Sequence, residues 1–568
     1  MTDAQAYGPV HDWTKGYLHP AKWSTEFPPL SLHSMFFDVA SRMGDAPLLD
    51  FMGRKYSYAQ MVIAVSKIAA GLQARGIGKG DRIGMFLPNV PHYVAAYYGA
   101  LAAGATIVNF SPLYSVEELS LQVEDSGTSV LFTISAAELL PTAIKVLNQS
   151  SLKGLIVGSV AEALPALKSF AYRIIKRADI AAIPIDDRIT AYADLIRNDG
   201  KFDTPFCDPE TDIAVLQYTG GTTGTPKGAM LSHQNISANA RQVNALDPHS
   251  RFNNPVLPGE DRIIGALPLF HVFANITVLN RTVNNGGEIV MLPRFNARQV
   301  LAAITRTKIT AMPGVPTMYQ ALLDCPDIAK TNFTSLRICI SGGAPLAAEL
   351  KAKFEECTGA TVIEGYGLTE SAGVVSCNPY ERENRAGSIG QPICGTTVQL
   401  LDKEDPFKPA PFGEPGELAV SGPQIMRGYW NRPDADKEVF IGGFLRTGDV
   451  ATIDEDGFIH IVDRIKDMIS VGGFKVFPSR IEDVLYTHQS VREALVIGIQ
   501  DSYLGERPKA FVTLEKGACV SGDALMQWLN PQLGKHERVA AVIIRQDMPK
   551  TMIGKLDRKA LRIEEGCV

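Results

Sequence analysis

The apolar residues along the chain alternate between two spacings. The segment 60-QMVIAVSKIAAGLQARG-76 has the spacing of a helix and is followed by the short apolar run 82-RIGMFLP-88. The segments 117-EELSLQVEDSG-127 and 129-SVLFTI-134 repeat this arrangement. Helices of about three turns that alternate with short apolar strands predict parallel sheets with covering helices, and so an α/β fold.

The pattern changes in the last third of the chain. The segments 413-GEPGELAVSG-422 and 444-FLRTGDVATIDEDGFIHIVDR-464 predict short strands joined by Gly and Asp turns, which is a small β-rich unit. After residue 464 the strands alternate with helices again, and about a hundred residues suffice for a compact α+β domain. We therefore predict two domains, 1–463 and 464–568, with a boundary near Asp463–Lys466. The predicted strands of the second domain are 493-EALVIGI-499, 510-AFVTLE-515 and 540-AAVIIR-545, and its helices are 479-SRIEDVLYTH-488 and 523-DALMQWL-529.

Two apolar segments raise the question of membrane contact. The uncharged stretch 93-YVAAYYGALAAGATIVNF-110 is about as long as a membrane span, but it is rich in Ala and Gly and ends in a strand-like run. We predict a buried helix, a tight turn at Gly104 and a buried strand. The stretch 166-ALKSFAYRIIKRAD-179 predicts a basic amphipathic helix, which could lie on a membrane. Docking of this helix on its own domain is the favoured interpretation.

Composition limits the classes of partner. The chain has 568 residues, too many for one core, and its net charge of −6 provides no field that would attract nucleic acid. The eight cysteines form no C-x-x-C pair and no cluster with histidines, which indicates free thiols in a reducing compartment. The N-terminus lacks a basic start and an apolar run, so we expect a cytoplasmic protein without a signal peptide.

A Gly/Thr-rich loop, 218-YTGGTTGTPKG-228, is the clearest chemical signal. It follows the apolar run 213-IAVLQY-218, and its glycines allow backbone N–H groups to turn toward an anion. Four threonines add hydroxyl donors, and Lys227 adds a positive charge. The following residues, 229-AML-231, predict a second strand with a helix beginning near Ser232, so the loop lacks the helix start that a Walker loop uses. The pattern predicts a mobile loop that folds over a polyphosphate.

Four further clusters follow in order. The segment 364-EGYGLTE-370 places an aromatic ring near a hydroxyl and a carboxylate, and Glu370 is of the ligand type that Mg²⁺ prefers. In 446-RTGD-449 we expect Asp449 to project from a tight turn, where it could bind ribose hydroxyls. Charges beside a Gly-Gly pair in 463-DRIKDMISVGGFK-475 indicate a hinge. In 549-PKTMIGKLDR-558, Lys555 follows Gly554 in a turn-like segment with few apolar residues.

In this order the five clusters resemble the adenylate-forming superfamily of acyl- and aryl-CoA synthetases, luciferases and adenylation domains. The resemblance extends from about residue 30 to 560. Other segments are similar to those of bacterial long- and medium-chain fatty-acid–CoA ligases: 109-NFSPLYSVEEL-119, 267-LPLFHVFA-274, 341-SGGAPL-346 and 423-PQIMRGYWNRP-433. The resemblance implies a large N-terminal domain of β-sheets with covering helices and a β-rich subdomain, followed by a small mobile C-terminal domain.

The resemblance also implies roles for individual residues. Lys227, Thr369, Glu370 and Lys555 match the catalytic positions, and Thr219 and Glu370 match the contacts to Mg²⁺. For His271 the resemblance implies only a place in the wall of the acyl pocket. Lys466 matches the hinge position. A face that begins at Val471, Gly472 and Gly473 matches the CoA tunnel. The residues that match ATP- or AMP-binding positions are Thr219, Gly220, Gly221, Thr222, Thr223, Gly224, Thr225, Lys227, Gly343, Ala344, Pro345, Glu364, Gly365, Tyr366, Thr369, Asp449, Arg464 and Lys555.

The implied reaction joins a medium- or long-chain fatty acid to CoA through an acyl-AMP, with release of pyrophosphate and then AMP. ATP and CoA are the implied co-substrates, and Mg²⁺ is the implied metal ion. Three alternatives stay open: an aryl- or dicarboxylate–CoA ligase of the same fold, an acyl-AMP ligase that loads a carrier protein in trans, and a binding protein that has lost catalysis. A homodimer and a peripheral contact with the inner face of the membrane also stay open. One departure is 478-PSRIE-482, where many relatives have an acidic residue after the first two positions.

Overall fold

The structure is a computed structural model of the chain. It describes residues 13–219, 226–249, 260–380, 384–385, 387–402, 405–551 and 555–567.

The helices of the described residues fall into longer α-helices and short turns of helix. The α-helices are α1 Leu32–Met43, α2 Tyr58–Gln73, α3 Pro91–Ala102, α4 Val116–Ser126, α5 Leu140–Gln149, α6 Val160–Ala163, α7 Ala166–Ile175, α8 Tyr192–Leu195, α9 His233–Leu246, α10 Val272–Ala274, α11 Arg281–Asn285, α12 Ala297–Thr307, α13 Pro316–Leu323, α14 Ala348–Thr358, α15 Pro433–Val439, α16 Pro478–Tyr486, α17 Gly522–Leu529 and α18 Arg558–Glu564. The short 3₁₀ or π turns are Trp13–Gly16, Arg177–Asp179, Asn275–Asn280, Pro326–Lys330, Thr369–Ser371, Ile465–Asp467 and Asn530–Gln532.

The strands of the described residues assemble into four sheets. They are β1 Pro47–Phe51, β2 Arg54–Ser57, β3 Arg82–Met85, β4 Thr106–Asn109, β5 Val130–Ile134, β6 Gly154–Gly158, β7 Ile189–Ala191, β8 Ile213–Tyr218, β9 Gly228–Ser232, β10 Arg262–Gly265, β11 Glu288–Met291, β12 Ala311–Gly314, β13 Ile338–Gly342, β14 Thr361–Leu368, β15 Gly373–Cys377, β16 Gln391–Pro392, β17 Thr397–Leu401, β18 Gly416–Ser421, β19 Phe440–Ile441, β20 Phe444–Ile453, β21 Ile459–Arg464, β22 Ile469–Val471, β23 Phe474–Val476, β24 Val491–Asp501, β25 Gly505–Leu514 and β26 Val542–Ile544.

Two large sheets of mainly parallel strands form the N-terminal part. One has seven strands in the order β7-β6-β5-β3-β4-β8-β9, and only β9 runs antiparallel to its neighbour. The other has nine strands in the order β16-β15-β14-β13-β12-β10-β11-β1-β2, in which the pairs β1–β2, β14–β15 and β15–β16 are antiparallel. Ligand sites of such sheets lie at the carboxyl ends of the parallel strands. The predicted α/β class is confirmed.

The uncharged stretch at residues 93–110 forms a buried helix, turn and strand, as predicted. Every residue of α3 is buried, and Pro91 occupies its first turn, where no backbone N–H is needed. Gly99 lies so close to α2 that a methyl group there would be 2.7 Å from Ile68 Cβ. Gly104 has a φ of +92°, which allows the turn into β4. Among the described residues, no helix combines the length and the apolar character that crossing a membrane requires.

Two smaller sheets follow. The sheet of β17, β18, β20, β19 and β21 is the predicted β-rich unit, and the sheet of β22 to β26 packs with α16 and α17 around a second apolar core. The first core ends at Ile459 and the second begins at Ile469. The predicted small α+β unit is therefore present, with its own core.

One prediction about a single segment is wrong, and another is right without foreseeing which face of the helix is exposed. Asp449 does not project from a tight turn; it lies inside β20, where a register irregularity against β18 accommodates Gly448 at a φ of +74°. The amphipathic helix α7 docks on its own domain through half-buried residues such as Tyr172, as favoured, but none of its residues is buried and its apolar side chains are exposed. In both segments the local pattern is as predicted. Pairing with Arg464 places Asp449 in a strand, and the packing of α7 on the rest of the fold decides which of its faces is exposed.

Candidate active site

The Gly/Thr-rich loop joins two antiparallel strands at the carboxyl end of the seven-stranded sheet. Tyr218 of β8 pairs with Gly228 of β9, and the backbone N–H of Thr219 donates to the carbonyl oxygen of Lys227 at 2.9 Å. Ser232 caps α9 by accepting from the N–H of Asn235, so the helix begins after β9 and not at the loop, as predicted. Six predicted phosphate contacts lie outside the described residues: Gly220, Gly221, Thr222, Thr223, Gly224 and Thr225.

The end of this loop is joined to Glu370 by an aromatic ring. The Lys227 ammonium lies 5.1 Å from the centroid of the Tyr429 ring, and the Tyr429 hydroxyl donates to Glu370 Oε1 at 2.7 Å. Backbone hydrogen bonds hold Tyr429 there, because the segment around it pairs with β9. Glu370 itself follows β14 in the turn Thr369–Ser371. The fold therefore brings Lys227, Glu370 and, through the strand ends, Thr219 and Thr369 to one region.

The nine-stranded sheet contributes an adjoining wall. Gly343, Ala344 and Pro345 follow β13, whose last residues pair in register with Glu364 and Gly365 of β14. Glu364 Oε1 accepts the N–H of Leu346 at 2.9 Å, which ties the two segments together. Burial raises the pKa of Glu364. The predicted adenine-side residues therefore come from two neighbouring strand ends, as ligand sites of such sheets require.

Asp449 is held in place by three groups. Its carboxylate accepts from the Tyr366 hydroxyl in a short hydrogen bond and from Arg464 Nε at 3.1 Å, and its N–H donates to Thr447 Oγ1 at 3.1 Å. Asp449 and Arg464 are direct partners across β20 and β21. Asp449 is only 2% exposed, and its charge is matched by Arg464. Burial, with the nearby Asp449, raises the pKa of the Tyr366 phenol, so the ring stays a hydrogen-bond donor.

Lys555 reaches this wall from the C-terminal domain. A methyl group placed on Gly343 would lie 2.9 Å from Lys555 Nζ, so the lysine side chain occupies the space directly over that glycine. Burial, followed by the nearby Arg464, lowers the pKa of Lys555 to about 8. Among the described residues, no side-chain hydrogen bond or ion pair holds the ammonium. Its backbone is fixed instead, by mutual hydrogen bonds with Thr551.

His271 lies beside the lysine. It precedes α10 and accepts the N–H of Phe273 through Nδ1 at 3.3 Å, and the Phe273 ring packs against Gly342. Burial and the Lys555 ammonium lower the pKa of His271 to about 3, so its ring is neutral. A neutral ring next to Phe273 suits a wall of a pocket for an apolar chain, the role that the resemblance implies.

The segment between the two cores is tied to the C-terminal domain. Asp463 Oδ2 accepts from both the N–H and the hydroxyl of Ser479, each at 3.0 Å. Ser479, which lies in the segment 478-PSRIE-482 that departs from the family pattern, therefore bonds the C-terminal domain to Asp463. Arg558 binds Asp467 at 3.0 Å and Glu482 at 2.6 Å. Lys466 lies between these two contacts, and burial lowers its pKa.

The predicted tunnel residues lie at a hairpin away from these contacts. Val471 ends β22 and pairs with Phe474 of β23, while Gly472 and Gly473 form the turn at φ values of +57° and +84°. The N–H of Gly472 donates to the carbonyl oxygen of Leu504 at 2.7 Å, within the same domain. Val471 also pairs with Gly505 of β25. The role of this hairpin in a CoA tunnel stays a prediction.

Two residues of the site were not predicted individually. Tyr429 positions Glu370, and Arg558 fixes the segment that follows Lys555. Both lie in motifs that the sequence does mark, 423-PQIMRGYWNRP-433 and 549-PKTMIGKLDR-558, but their partners are distant in the chain.

A group of possible metal ligands, His33, Cys207 and His233, was also not predicted, and its possible ligand atoms lie within 4.8 Å of one another. His233 Nδ1 accepts the N–H of Leu32, so the ring satisfies the start of α1.

Comparison with known proteins finds matches over most of the chain. The family model described as AMP-binding enzyme matches residues 36–430, and the model of the AMP-binding enzyme C-terminal domain matches residues 480–555. The chain is 38% identical over 557 residues to a long-chain-fatty-acid–CoA ligase of Bacillus subtilis, which covers 97% of this chain and 98% of the relative.

A further relative and a solved structure are also similar to the chain. A feruloyl-CoA synthase of Amycolatopsis is 34% identical, with 90% of this chain and 94% of the relative covered. The crystal structure of ATP-bound MatB from Rhodopseudomonas palustris has a TM-score of 0.81 and 27% identity, and the match covers 94% of this chain and 99% of that one.

Proposed function

The chain belongs to the AMP-binding enzyme family, and we propose that it is an ATP-dependent ligase that joins medium- or long-chain fatty acids to CoA. The observation that carries the proposal is the position of Lys555, which lies over Gly343 and next to the Asp449–Arg464 pair. Among the described residues, no side-chain hydrogen bond or ion pair holds this ammonium, and it lies beside His271 and the adenine-side wall. Such a charge suits a complex of two anionic substrates. The acyl specificity is inferred from the Bacillus subtilis relative.

The first half-reaction requires two anions to meet. An oxygen of the acid attacks the α-phosphorus of ATP, the bond to the β-phosphate oxygen breaks, and pyrophosphate leaves. We assign Lys555 to the α-phosphate and the attacking carboxylate, and Lys227 to the leaving pyrophosphate. Positive charge and N–H donors that are already oriented lower such a barrier, because charge builds on the α-phosphate and the leaving group. Asp449 and Tyr366 would hold the ribose and purine.

The residues around Glu370 fit the Mg²⁺ that the family resemblance implies. Carboxylate oxygens are the ligands that Mg²⁺ prefers, and the hydrogen bond from Tyr429 fixes the Glu370 carboxylate next to Lys227. Bound there with Thr219, the ion would neutralise charge on the phosphates. The protein's own contribution is to orient Glu370 and to keep Lys227 beside it.

The second half-reaction needs a different arrangement. The sulfur of CoA attacks the acyl carbonyl carbon, the bond to AMP breaks, and AMP leaves as the thiol gives up its proton. We propose that domain 464–568 rotates near Lys466 relative to domain 1–463, which removes Lys555 and brings the hairpin at Val471, Gly472 and Gly473 to the site. Hinge rotation of this kind lets one cavity serve two geometries. The absence of a side-chain partner for the Lys555 ammonium among the described residues supports a removable group.

Release of pyrophosphate over a panel of acids tests the proposed function. The panel contains C4 to C18 fatty acids, dicarboxylic acids and aromatic acids, each with and without CoA. We expect the highest kcat/KM with medium or long fatty acids, and acyl-CoA as the product. A preference for aromatic acids would instead favour the alternative that the feruloyl-CoA synthase supports. Acyl-AMP that forms but does not react with CoA would favour a carrier protein in trans.

A further inference from the structure

Helix α7 presents an apolar surface that the described part of the chain leaves uncovered. We call Leu167, Phe170, Ile174 and Ile175 the α7 surface. These side chains are 86%, 68%, 61% and 78% exposed, whereas no residue of the helix is buried. Four large apolar side chains exposed on ten residues of helix exceed what a soluble surface usually shows, since exposed apolar residues are normally scattered.

The α7 surface points away from the protein because the helix is attached by its other side. At about 100° per residue, the four side chains occupy an arc of about 140°. Tyr172 and Ser169 lie on the opposite side and are half-buried, and Tyr172 packs on the large core. Lys168 Nζ donates to the carbonyl oxygen of Met52 at 2.7 Å. The helix is therefore fixed in an orientation that exposes its apolar face.

Positive charge borders this surface. Residues 166–179 carry four basic side chains and one acidic one, on a chain whose net charge is −6. By the same helical spacing, Lys168 lies at one edge of the apolar arc, and Arg173 lies beyond its other edge. The only acid, Asp179, pairs with Lys176 at 3.0 Å. An apolar face between basic edges is the arrangement of helices that lie in the interface of an anionic bilayer.

We propose that the α7 surface docks the protein on an anionic phospholipid membrane. The apolar side chains would enter the boundary between headgroups and acyl chains, and the exposed Arg173 and Arg177 would contact lipid phosphates. A second copy of the chain fits less well, because a two-fold contact through this face would bring the same basic edges together. The inference rests on the geometry and charge of α7, and it does not depend on which acid the site accepts.

Sedimentation with vesicles tests the proposal on the full chain. The vesicles are phosphatidylcholine alone, or phosphatidylcholine with about a third phosphatidylglycerol. We expect binding to the anionic vesicles that weakens with salt, and a partition coefficient at least about tenfold lower for the variant L167S/F170S/I174S. The matched control, L121S/F407S, removes apolar side chains of similar exposure, 69% and 66%, elsewhere on the surface and should bind normally.

A second readout and the activity separate docking from misfolding. Phe170→Trp should be quenched by brominated lipid, whereas Leu121→Trp should not. Pyrophosphate release with a water-soluble short acid should be the same for wild type and L167S/F170S/I174S. No vesicle binding by the wild type, or equal loss in the control variant, would overturn the proposal. A dimer that the triple variant abolishes, without vesicle binding, would assign the surface to a second copy instead.

Discussion

Asp449 and Lys555 lie on opposite sides of the same candidate site and are held in different ways. Asp449 is buried within a strand and bound by Tyr366, Arg464 and Thr447. Lys555 comes from another domain, and among the described residues only its backbone is fixed by hydrogen bonds. The ammonium has a pKa lowered to about 8, mainly by burial, so its charge lacks full compensation by the protein. We infer that one side of the site is permanent and that the other side is completed by substrate and is removable.

The largest effect is expected from removal of the lysine. Lys555→Ala should lower acyl-AMP formation by about 1,000-fold, because a positive charge at the reacting phosphate is lost. Thioester formation from chemically prepared acyl-AMP should stay within about twofold, because the proposed rotation removes Lys555 before that step. Stopped-flow or quench-flow assays of each half-reaction measure the two rates.

Lys550→Ala provides the control for this change. Lys550 lies in the same segment but binds Glu493 at 2.8 Å, outside the site, and its loss should leave both half-reactions nearly unchanged. If Lys555→Ala slowed both half-reactions equally, the lysine would not be specific to the first one.

Substitution of Asp449, on the permanent side of the site, should slow both half-reactions. Asp449→Asn takes away the charge that faces Arg464 and leaves one acceptor oxygen in place of the two that bind Arg464 and Tyr366. Because ATP and acyl-AMP share the same nucleoside, we expect kcat/KM to fall by about 10- to 100-fold in each half-reaction, the range for hydrogen bonds to charged groups. Thermal unfolding of the variant reports any loss of fold, and Tyr366→Phe, which keeps the carboxylate, should have a smaller effect. Loss confined to acyl-AMP formation would contradict a shared ribose contact.

The proposed Mg²⁺ site depends on Glu370. Glu370→Gln keeps the size of the side chain and an acceptor for Tyr429 but removes the charge. We expect the Mg²⁺ concentration for half-maximal acyl-AMP formation to rise by about tenfold, since supporting and ligating groups of metal sites have effects of that size. Thioester formation should not change. An unaltered Mg²⁺ titration would remove Glu370 from the metal site, and Tyr429→Phe should give an intermediate shift.

The features that could be predicted from sequence are those set by local pattern. Ala- and Gly-rich spacing around residues 93–104 was enough to predict α3 and the turn at Gly104, because small residues that pack closely leave few alternatives. The same kind of pattern predicted that α7 has an apolar face but not that this face is exposed. Periodicity shows which residues share a face, but it does not show which other residues pack against that face. Which residues pack against a helix face depends on the rest of the fold.

The features that could not be predicted from sequence depend on contacts between residues that are distant in the chain. The tight turn expected at Asp449 is instead part of a strand, because Arg464 pairs with it across the sheet. Nothing near Glu370 indicates Tyr429, and nothing near Lys555 indicates Gly343. The family resemblance gathered Gly343, Asp449, Arg464 and Lys555 into one group, and the fold brings these four together. The loop residues 220–225 lie outside the described residues, so their roles stay predictions.

The pH dependence gives a finer test of the lysine side. A lysine with a pKa of about 8 loses its charge as the pH rises above that value, and the charged form is the one that stabilises the phosphate. In the free enzyme, kcat/KM for acyl-AMP formation should therefore be level below about pH 8 and fall about tenfold over the next pH unit. Lys555→Arg should be slower but should lack this fall, because a guanidinium stays charged. The same fall in thioester formation would point to another group.

The smallest expected effect comes from an ion pair that joins the two domains. Arg492 of β24 binds Asp324, which follows α13, at 2.7 Å, and their side chains are 38% and 48% exposed. Arg492→Gln should slow acyl-AMP formation by no more than about fivefold, since exposed pairs contribute about 0–1 kcal/mol. If the C-terminal domain rotates between the half-reactions, this pair exists in only one arrangement, so thioester formation should stay unchanged or rise slightly. The swapped variant D324R/R492D should restore much of the first rate, and a double-mutant cycle measures the coupling. A coupling energy of the same sign in both half-reactions would mean that the pair stays closed throughout, and the side of the site that carries Lys555 would then be as permanent as the side that carries Asp449.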